Sequence, residues 1–472
     1  MSIYNPPSLQ HLAMQNLLWN EASTISTLEY LPPHLFPPVF KEAFTGRHMQ
    51  LLKAMVAAWP FSYLPVGALM ETPNVELLQA VLGGVDILQA QKVRPSRWKL
   101  RVLDLRNVNQ DFLNVWASRK SWYYCSTEHE SEKKDNEMRP DVKVVTDLSL
   151  RCHLKEHQTC LLQWAQQRKD SVQLSCVKME ICDFPAEIIK EFLDIFPPEE
   201  LHLTTNSVLP LLHHIASHLG HMTKLRKCHL SHIFVHGYCD VNAWSVTEDV
   251  CAIQFLSQLF KLTSVEHFSM DTFYFFSDVM QLLFSSLKTP LESLSITDSL
   301  GPVNLNLLSQ CQGLCQLRHL SLSNSMFSLS GDIHLRVLLE NTAHTLQTLE
   351  LVNCRMRDSE LRVLLPALSQ CSQLITVNFY DNNFSIAALK KLVQGMACLS
   401  NLTGEFYPAP LECYDPLGYV LVEEFAQVCL ELQDIFFAKR QPKKIAFATR
   451  ICPKCRRRCV YNMETRLCQC WQ

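Results

Sequence analysis

The sequence predicts an α/β leucine-rich-repeat solenoid, a horseshoe of the ribonuclease-inhibitor kind preceded by a helical amino-terminal module. Three observations predict it. First, the pattern L-x-x-L-x-L recurs as Leu291-Leu294-Ile296, Leu317-Leu320-Leu322, Leu346-Leu349-Leu351 and Leu374-Val377-Phe379, with Val265-Phe268-Met270 ahead of them, in steps of 26, 26, 29 and 28 residues. Second, the position three beyond the last strand residue is Cys182, Asn206, Cys354 or Asn382, with Ser299 and Ser325 in two further units. These are side chains that can satisfy backbone groups where the chain turns out of a strand. Third, each unit's second half has helical spacing, as in Leu361, Leu364, Leu365 and Leu368, and again in Ile386, Leu389, Leu392 and Val393. Repeats of this length with a full helix place strands on a concave face and helices on a convex one.

Size and composition agree. A chain of 472 residues is longer than one ordinary core supports, whereas a repeat array lengthens without thickening. Apolar residues are 47% and charged residues 19%, as in a folded chain. The balance of 43 basic against 46 acidic residues supplies no field for nucleic acid. The amino terminus lacks the marks of a secretory signal, and no run approaches the roughly 18 apolar residues of a membrane span. The twenty cysteines sit mostly singly in apolar runs, and read as reduced, buried thiols of a cytoplasmic or nuclear protein.

Along the chain, residues 1–98 are proline-rich, aromatic and helical by pattern. Residues 99–141 hold an isolated first strand, Leu100-Leu103-Leu105, and a charged stretch (125–141) expected as a flexible loop. The horseshoe is expected over 142–435. Its earlier units are Leu174-Val177-Met179, Leu201-Leu203 and Leu225-Cys228-Leu230, with an insertion between 225 and 265. Leu402-Glu405-Tyr407 marks its end. Residues 436–472 form a basic, cysteine-rich tail in which 439–463 hold nine Lys/Arg and no acid.

The stretches LEYLPPHLFPPVFKEAF (28–44), RHMQLLKAMVAAWPFSYLPVGALM (47–70) and KLRVLDLRNV (99–108) resemble the PRAME family, preferentially expressed antigen in melanoma. The resemblance spans essentially the whole chain. It implies a substrate receptor of a cullin-2 RING ubiquitin ligase, joined through elongin C and elongin B, with links to repression of retinoic-acid-receptor transcription, to proliferation and survival, and to germ cells. By resemblance, the elongin-C contact maps onto Ser8, Leu9, Ala13 and Leu17, with Ala13 where such receptors have cysteine. The cullin-2 contact maps onto Leu31, Pro32, Leu35 and Val39. Leu9, Ala13 and Leu17 step by four, so they share one helix face.

Substrate is expected on the concave face, at Glu292, Ser293, Arg318, His319, Gln347, Thr348, Ile375 and Thr376. Two L-x-x-L-L stretches, at 335–339 and 361–365, imitate nuclear-receptor motifs, but their leucines are needed against the sheet. Cys452, Cys455, Cys468 and Cys470 offer a weak zinc set with imperfect spacing, and Cys459 is unassigned. No catalytic constellation emerges, so neither enzyme activity nor a cofactor is expected. A ligase-independent corepressor bound to a nuclear receptor and a stoichiometric inhibitor remain as rival functions.

Overall fold

A computed structural model describes residues 9–70, 72–91, 97–107, 142–204, 222–232, 261–272, 289–298, 305–325, 331–439, 444–452 and 456–461, with a few shorter pieces. The charged stretch 125–141 and the insertion after 232 fall outside them. The chain divides into two compact units, Met1–Glu199 and Glu200–Gln472. Each is mixed α/β, with parallel strands alternating with helices.

The first unit opens with helices α1 (Leu9–Trp19), α2 (Glu21–Thr27), α3 (Phe36–Thr45) and α4 (Met49–Ala57), then α5 (Val75–Ala90). Their core is aromatic. Trp59 meets Phe40 edge-on at 5.3 Å and Phe36 at 6.0 Å, and all three are at most 2% exposed. Helices α4 and α5 touch where a side chain would not fit, since a Cβ on Gly84 would lie 2.6 Å from the Lys53 carbonyl oxygen. Asn74 caps α5, its Oδ1 accepting from the Leu77 N–H at 3.0 Å.

Strands β1 (Tyr63–Leu64), β2 (Val102–Asp104), β3 (Lys143–Arg151) and β4 (Gln173–Cys182) pair in parallel, with α6 (Glu156–Gln166) between the last two and α7 (Ala186–Ile195) following. Three sequence expectations change here. The strand containing Leu103 is not isolated, because β1 and β3 flank it. Strand β3 was not anticipated, although Val145-Leu148-Leu150 has the repeat spacing and all three side chains are buried. In β4 the inward residues are Cys176, Met179 and Ile181, not Leu174, Val177 and Met179. A register irregularity between Thr146 and Leu148 shifts the pairing, so Leu148 faces Met179 and Leu150 faces Ile181.

A hydrogen bond to a buried carboxylate joins β1 to β2. The Asp104 carboxylate, in a residue 1% exposed, accepts from Tyr63 Oη at 2.7 Å and from Arg106 Nη2 at 2.7 Å. Burial and the neighbouring carboxylate push the Tyr63 hydroxyl well above its ordinary range.

The second unit runs β5 (Pro198–Thr204, beginning just before the division), β6 (Lys227–Ser231), β7 (His267–Asp271), β8 (Ser293–Thr297), β9 (His319–Ser323), β10 (Thr348–Glu350), β11 (Thr376–Asn378), β12 (Gly404–Pro408) and β13 (Lys444–Ala448). Neighbours pair in parallel throughout. Between them lie α8 (Leu305–Gln310), α9 (Gly331–Thr342), α10 (Asp358–Leu368), α11 (Ile386–Met396) and α12 (Val422–Lys439). Two short antiparallel strands, β14 (Val460–Tyr461) and β15 (Thr465–Arg466), close the order. The array therefore continues past Leu402-Glu405-Tyr407, because β13 adds a further parallel strand inside the stretch read as a basic tail.

The repeat leucines explain the stack. Leu291, Leu294, Leu317, Leu320, Leu346, Leu349, Leu374 and Val377 are all at most 1% exposed. Each contributes about 1.5–3 kcal/mol by burial. After β8, β9, β10 and β11 the chain turns through a left-handed residue: Asp298, Asn324, Asn353 and Asp381 have φ of 48°, 52°, 53° and 61°. Asn and Asp tolerate that region better than other side chains.

The next residue does the backbone work expected of it. Asn382 Nδ2 donates to the carbonyls of Leu351 at 2.6 Å and Phe379 at 3.0 Å, while its Oδ1 accepts from the N–H of Cys354 at 3.2 Å and of Met356 at 3.1 Å. Cys354 Sγ donates to the Leu322 carbonyl. Ser325 Oγ donates to that of Ser323 at 3.1 Å. Five of the six L-x-x-L-L leucines are buried as expected, Leu335, Leu338, Leu339, Leu361 and Leu364 being at most 2% exposed, whereas Leu365 is half-buried.

Candidate functional site

Two surfaces carry the residues singled out from the sequence, one in each unit. In the first unit, α1 presents apolar side chains to solvent: Leu9 is 86% exposed, Trp19 90% and Leu12 47%. Ala13 is exposed on the same helix and Leu17 is half-buried, while Ser8 lies outside the described residues. The following segment is pinned from two sides. Arg97 Nη2 donates to the Leu31 carbonyl at 2.8 Å, and Glu21 Oε1 accepts from the Leu51 N–H at 2.6 Å. Along it Pro32 is exposed, Leu31 and Leu35 are half-buried, and Tyr30 stands 80% exposed. Val39 is fully buried, so it faces the module's own core rather than a partner.

In the second unit, the eight residues expected to meet substrate form one stripe. The register aligns Ser293, His319, Thr348 and Thr376 side by side across β8 to β11. Glu292, Arg318, Gln347 and Ile375 precede them in the same order. Arg318 Nη1 lies 3.1 Å from Glu292 Oε1 across adjacent strands. All eight are half-buried or exposed. The stripe is polar except for Ile375, which is 42% exposed.

A second row, between the two inner strand apolars, was overlooked in the sequence: His202, His229, Ser269, Ser295, Ser321, Glu350, Asn378 and Phe406. The alternation of strand side chains would have found it, because residues flanking a buried position share the open face. His202 and His229 have ring centroids 5.0 Å apart, and His202 Nε2 sits 2.6 Å from Glu200 Oε1.

Metal-ligating groups are sparse among the described residues. Ligand atoms of Glu266, His267 and Glu292 lie within 4.8 Å of one another, with Arg318 paired to the same Glu292. Cys452 and Cys459 are both buried; Cys455, Cys468 and Cys470 fall outside the described residues. The cysteines of the described residues are free thiols. Burial pushes those of Cys228, Cys354 and Cys371 up to about 12, which keeps them protonated and poorly nucleophilic. No helix of the described residues is long and apolar enough to cross a membrane.

Residues 6–113 match the PRAME N-terminal domain and residues 142–470 the PRAME C-terminal domain. The chain belongs to the PRAME family. Human PRAME family member 12 is 39% identical over 99% of this chain and 98% of its own, and human PRAME family member 20 is 38% identical over the full length of both. Mouse oogenesin-3 is 38% identical over 98% of this chain and 94% of its own. Among solved structures, a Bacteroides fragilis protein overlaps 56% of this chain and 66% of its own at 11% identity and a TM-score of 0.29, too low to bear on the fold. The exposed face of α1 and the proline segment lie within the PRAME N-terminal domain. The strand stripe, the overlooked row and β13 lie within the PRAME C-terminal domain.

Proposed function

We propose that this PRAME-family chain is the substrate-recognition receptor of a cullin-2 RING ubiquitin ligase, joined through elongin C and elongin B. The observation that carries the reading is the concentration of exposed large apolar side chains on the first helix and the segment after it: Leu9, Leu12, Trp19 and Tyr30. Apolar side chains held in water on an ordered helix fit a helix laid in a partner's groove. Leu9, Ala13 and Leu17, behind Ser8, would meet elongin C. Ala13 fills less of the groove than the cysteine it replaces. Pro32, Leu31 and Leu35 would meet cullin-2, with Val39 holding α3 in place from inside. Prolines at 32, 33, 37 and 38 limit the freedom that docking must remove.

The receptor makes and breaks no bond. The cullin's RING subunit brings the ubiquitin-charged enzyme, and the strand face holds a substrate protein whose lysines gain effective concentration near it. Removal of regulatory proteins by this route would account for repression of transcription, differentiation and apoptosis and for promotion of proliferation, with chain action in cytoplasm or nucleus. The corepressor alternative lacks a usable receptor motif, because both L-x-x-L-L stretches lie largely buried. The inhibitor alternative lacks the acidic face it would favour, since Ser269, Ser295 and Ser321 occupy the middle of the strand surface.

The test is affinity purification of the intact chain from cells beside Leu9→Ala/Leu31→Ala/Pro32→Ala, with elongin C, elongin B and cullin-2 quantified. Recovery with the intact chain and loss with the variant is the expected result. Absence of these proteins from both samples, with the chain folded, would reject the receptor function.

A further inference from the structure

We infer that the open strand face at the carboxy-terminal end of the second unit docks an acidic segment of a partner protein, through a surface of aromatic rings and unpaired cations. The face changes character along the array. Across β7 to β9 the second row is Ser269, Ser295 and Ser321, short hydroxyls with little contact area. Towards β12 and β13 the row carries Phe406 after Asn378, and aromatic and basic side chains gather around it at the strand ends, with Tyr380 after β11 and Lys444 at the start of β13. Lys444 Nζ lies 5.2 Å from the centre of the Phe406 ring, and Phe406 meets Tyr380 edge-on at 5.7 Å. The guanidinium of Arg450 stands 5.1 Å from the Tyr414 ring. Half-buried aromatics beside arginines are the composition that dominates binding energy in protein interfaces.

The cations divide into two kinds. Arg458 is a brace: it lies 5.1 Å from the Tyr380 ring, and both its terminal nitrogens reach Asp381, Nη2 at 2.8 Å from Oδ2. Arg450 keeps most of its donors, giving one to Asn383 Oδ1 at 2.7 Å. Among the described residues, Lys444, Arg450, Arg456 and Arg457 have no carboxylate partner. Residues 439–463 contain nine Lys/Arg and no acid, so the excess positive charge is local in a chain of net charge −3. Charge complementarity therefore selects an anionic partner, and guanidinium groups pair with carboxylates through two parallel N–H donors.

A protein segment fits better than nucleic acid. Single strands bind by stacking bases on open aromatic faces along a cationic track. Here Lys444, Arg450 and Arg458 occupy ring faces, and Asp381 and Glu350 interrupt the track. An extended chain carrying Asp or Glu with an apolar residue meets these limits, the apolar group resting near Ile451, which is 52% exposed beside Arg450.

This inference deepens the receptor reading, in which the repeats hold substrate, and its test is independent of ligase binding. A displayed library of random 16-residue peptides is selected on the purified full chain. Binding of an enriched synthetic peptide is then compared for the intact chain, Lys444→Glu/Arg450→Glu/Arg457→Glu, the milder Arg456→Ala/Arg457→Ala, and a control away from the strand face, Arg362→Ala, exposed on α10. Thermal melting establishes that each variant is folded. The expected result is enrichment of net-acidic peptides, affinity at least about tenfold weaker with the triple variant, a smaller loss with the milder one, and unchanged affinity with the control. Failure to enrich any peptide, enrichment without acidic bias, undiminished affinity in both charge variants, or tighter binding of a 20-nucleotide single-stranded DNA would overturn it. Because elongin C and cullin-2 are absent from this assay, loss of ligase binding in cells leaves its outcome unchanged.

Discussion

At the scale of single residues, the turns after β9, β10 and β11 each use one side chain, of Ser325, Cys354 and Asn382, that replaces missing backbone partners. Asn382 is 3% exposed and bonds five backbone groups from two successive repeats. Replacing it with alanine strands buried donors and acceptors, each costing about 1–3 kcal/mol. Asn382→Ala should therefore destabilise the chain by about 3 kcal/mol, measured by chemical denaturation, whereas Thr348→Ala on the open face should stay within about 0.5 kcal/mol. Equal effects would remove the structural role assigned to Asn382. This position was legible in the sequence because Asn and Cys recur there. The residue before it was less so: His232 and Thr272 also adopt φ of 55° and 47°, and neither type signals a left-handed turn.

At the scale of elements, legibility followed the purity of the pattern. Strands from β7 to β11 repeat one spacing with strong apolar residues, and each was found in its register. Strand β4 was found in the wrong one, because Leu174, Val177 and Met179 fit the spacing as well as Cys176, Met179 and Ile181 do. Only pairing with β3 across an irregularity decides between them. Strand β1 is two residues long and too short for any periodicity. Strand β13 was hidden by the charge around it, although Ala446, Phe447 and Ala448 are each at most 5% exposed. Helices α9 and α10 show the reverse case, a motif that imitates a docking element while serving the core. Leu364→Ala should cost about 3 kcal/mol of stability, since Leu364 is completely buried. A nuclear-receptor coregulator-groove assay should show no saturable binding by the folded chain. Tight binding that Leu364→Ala abolishes without loss of stability would contradict the structural assignment.

At the scale of the whole chain, the proposed function divides two jobs between two units. The first carries exposed apolar side chains where a ligase would attach, and the second carries a polar strand face that turns aromatic and basic towards its end. The alignment of Ser293, His319, Thr348 and Thr376 along one face was readable in advance because the repeat spacing puts each at the same place in its strand. The aromatic end was not, since Tyr380, Phe406 and Lys444 come together only when β11, β12 and β13 are placed side by side. Of the segment proposed to dock, spacing placed Leu9, Ala13 and Leu17 on one helix face, but it did not show that Val39 would be buried. Trp19 and Tyr30, both at least 80% exposed, escaped notice because no spacing rule marks them. The most direct measurement is titration of the purified full chain with a reconstituted elongin C–elongin B–cullin-2 complex by biolayer interferometry, beside Leu9→Ala/Trp19→Ala. The account predicts saturable binding by the intact chain, at least about tenfold weaker in the variant, with unchanged melting temperature. No binding by the intact, folded chain, or equal binding by both, would contradict it.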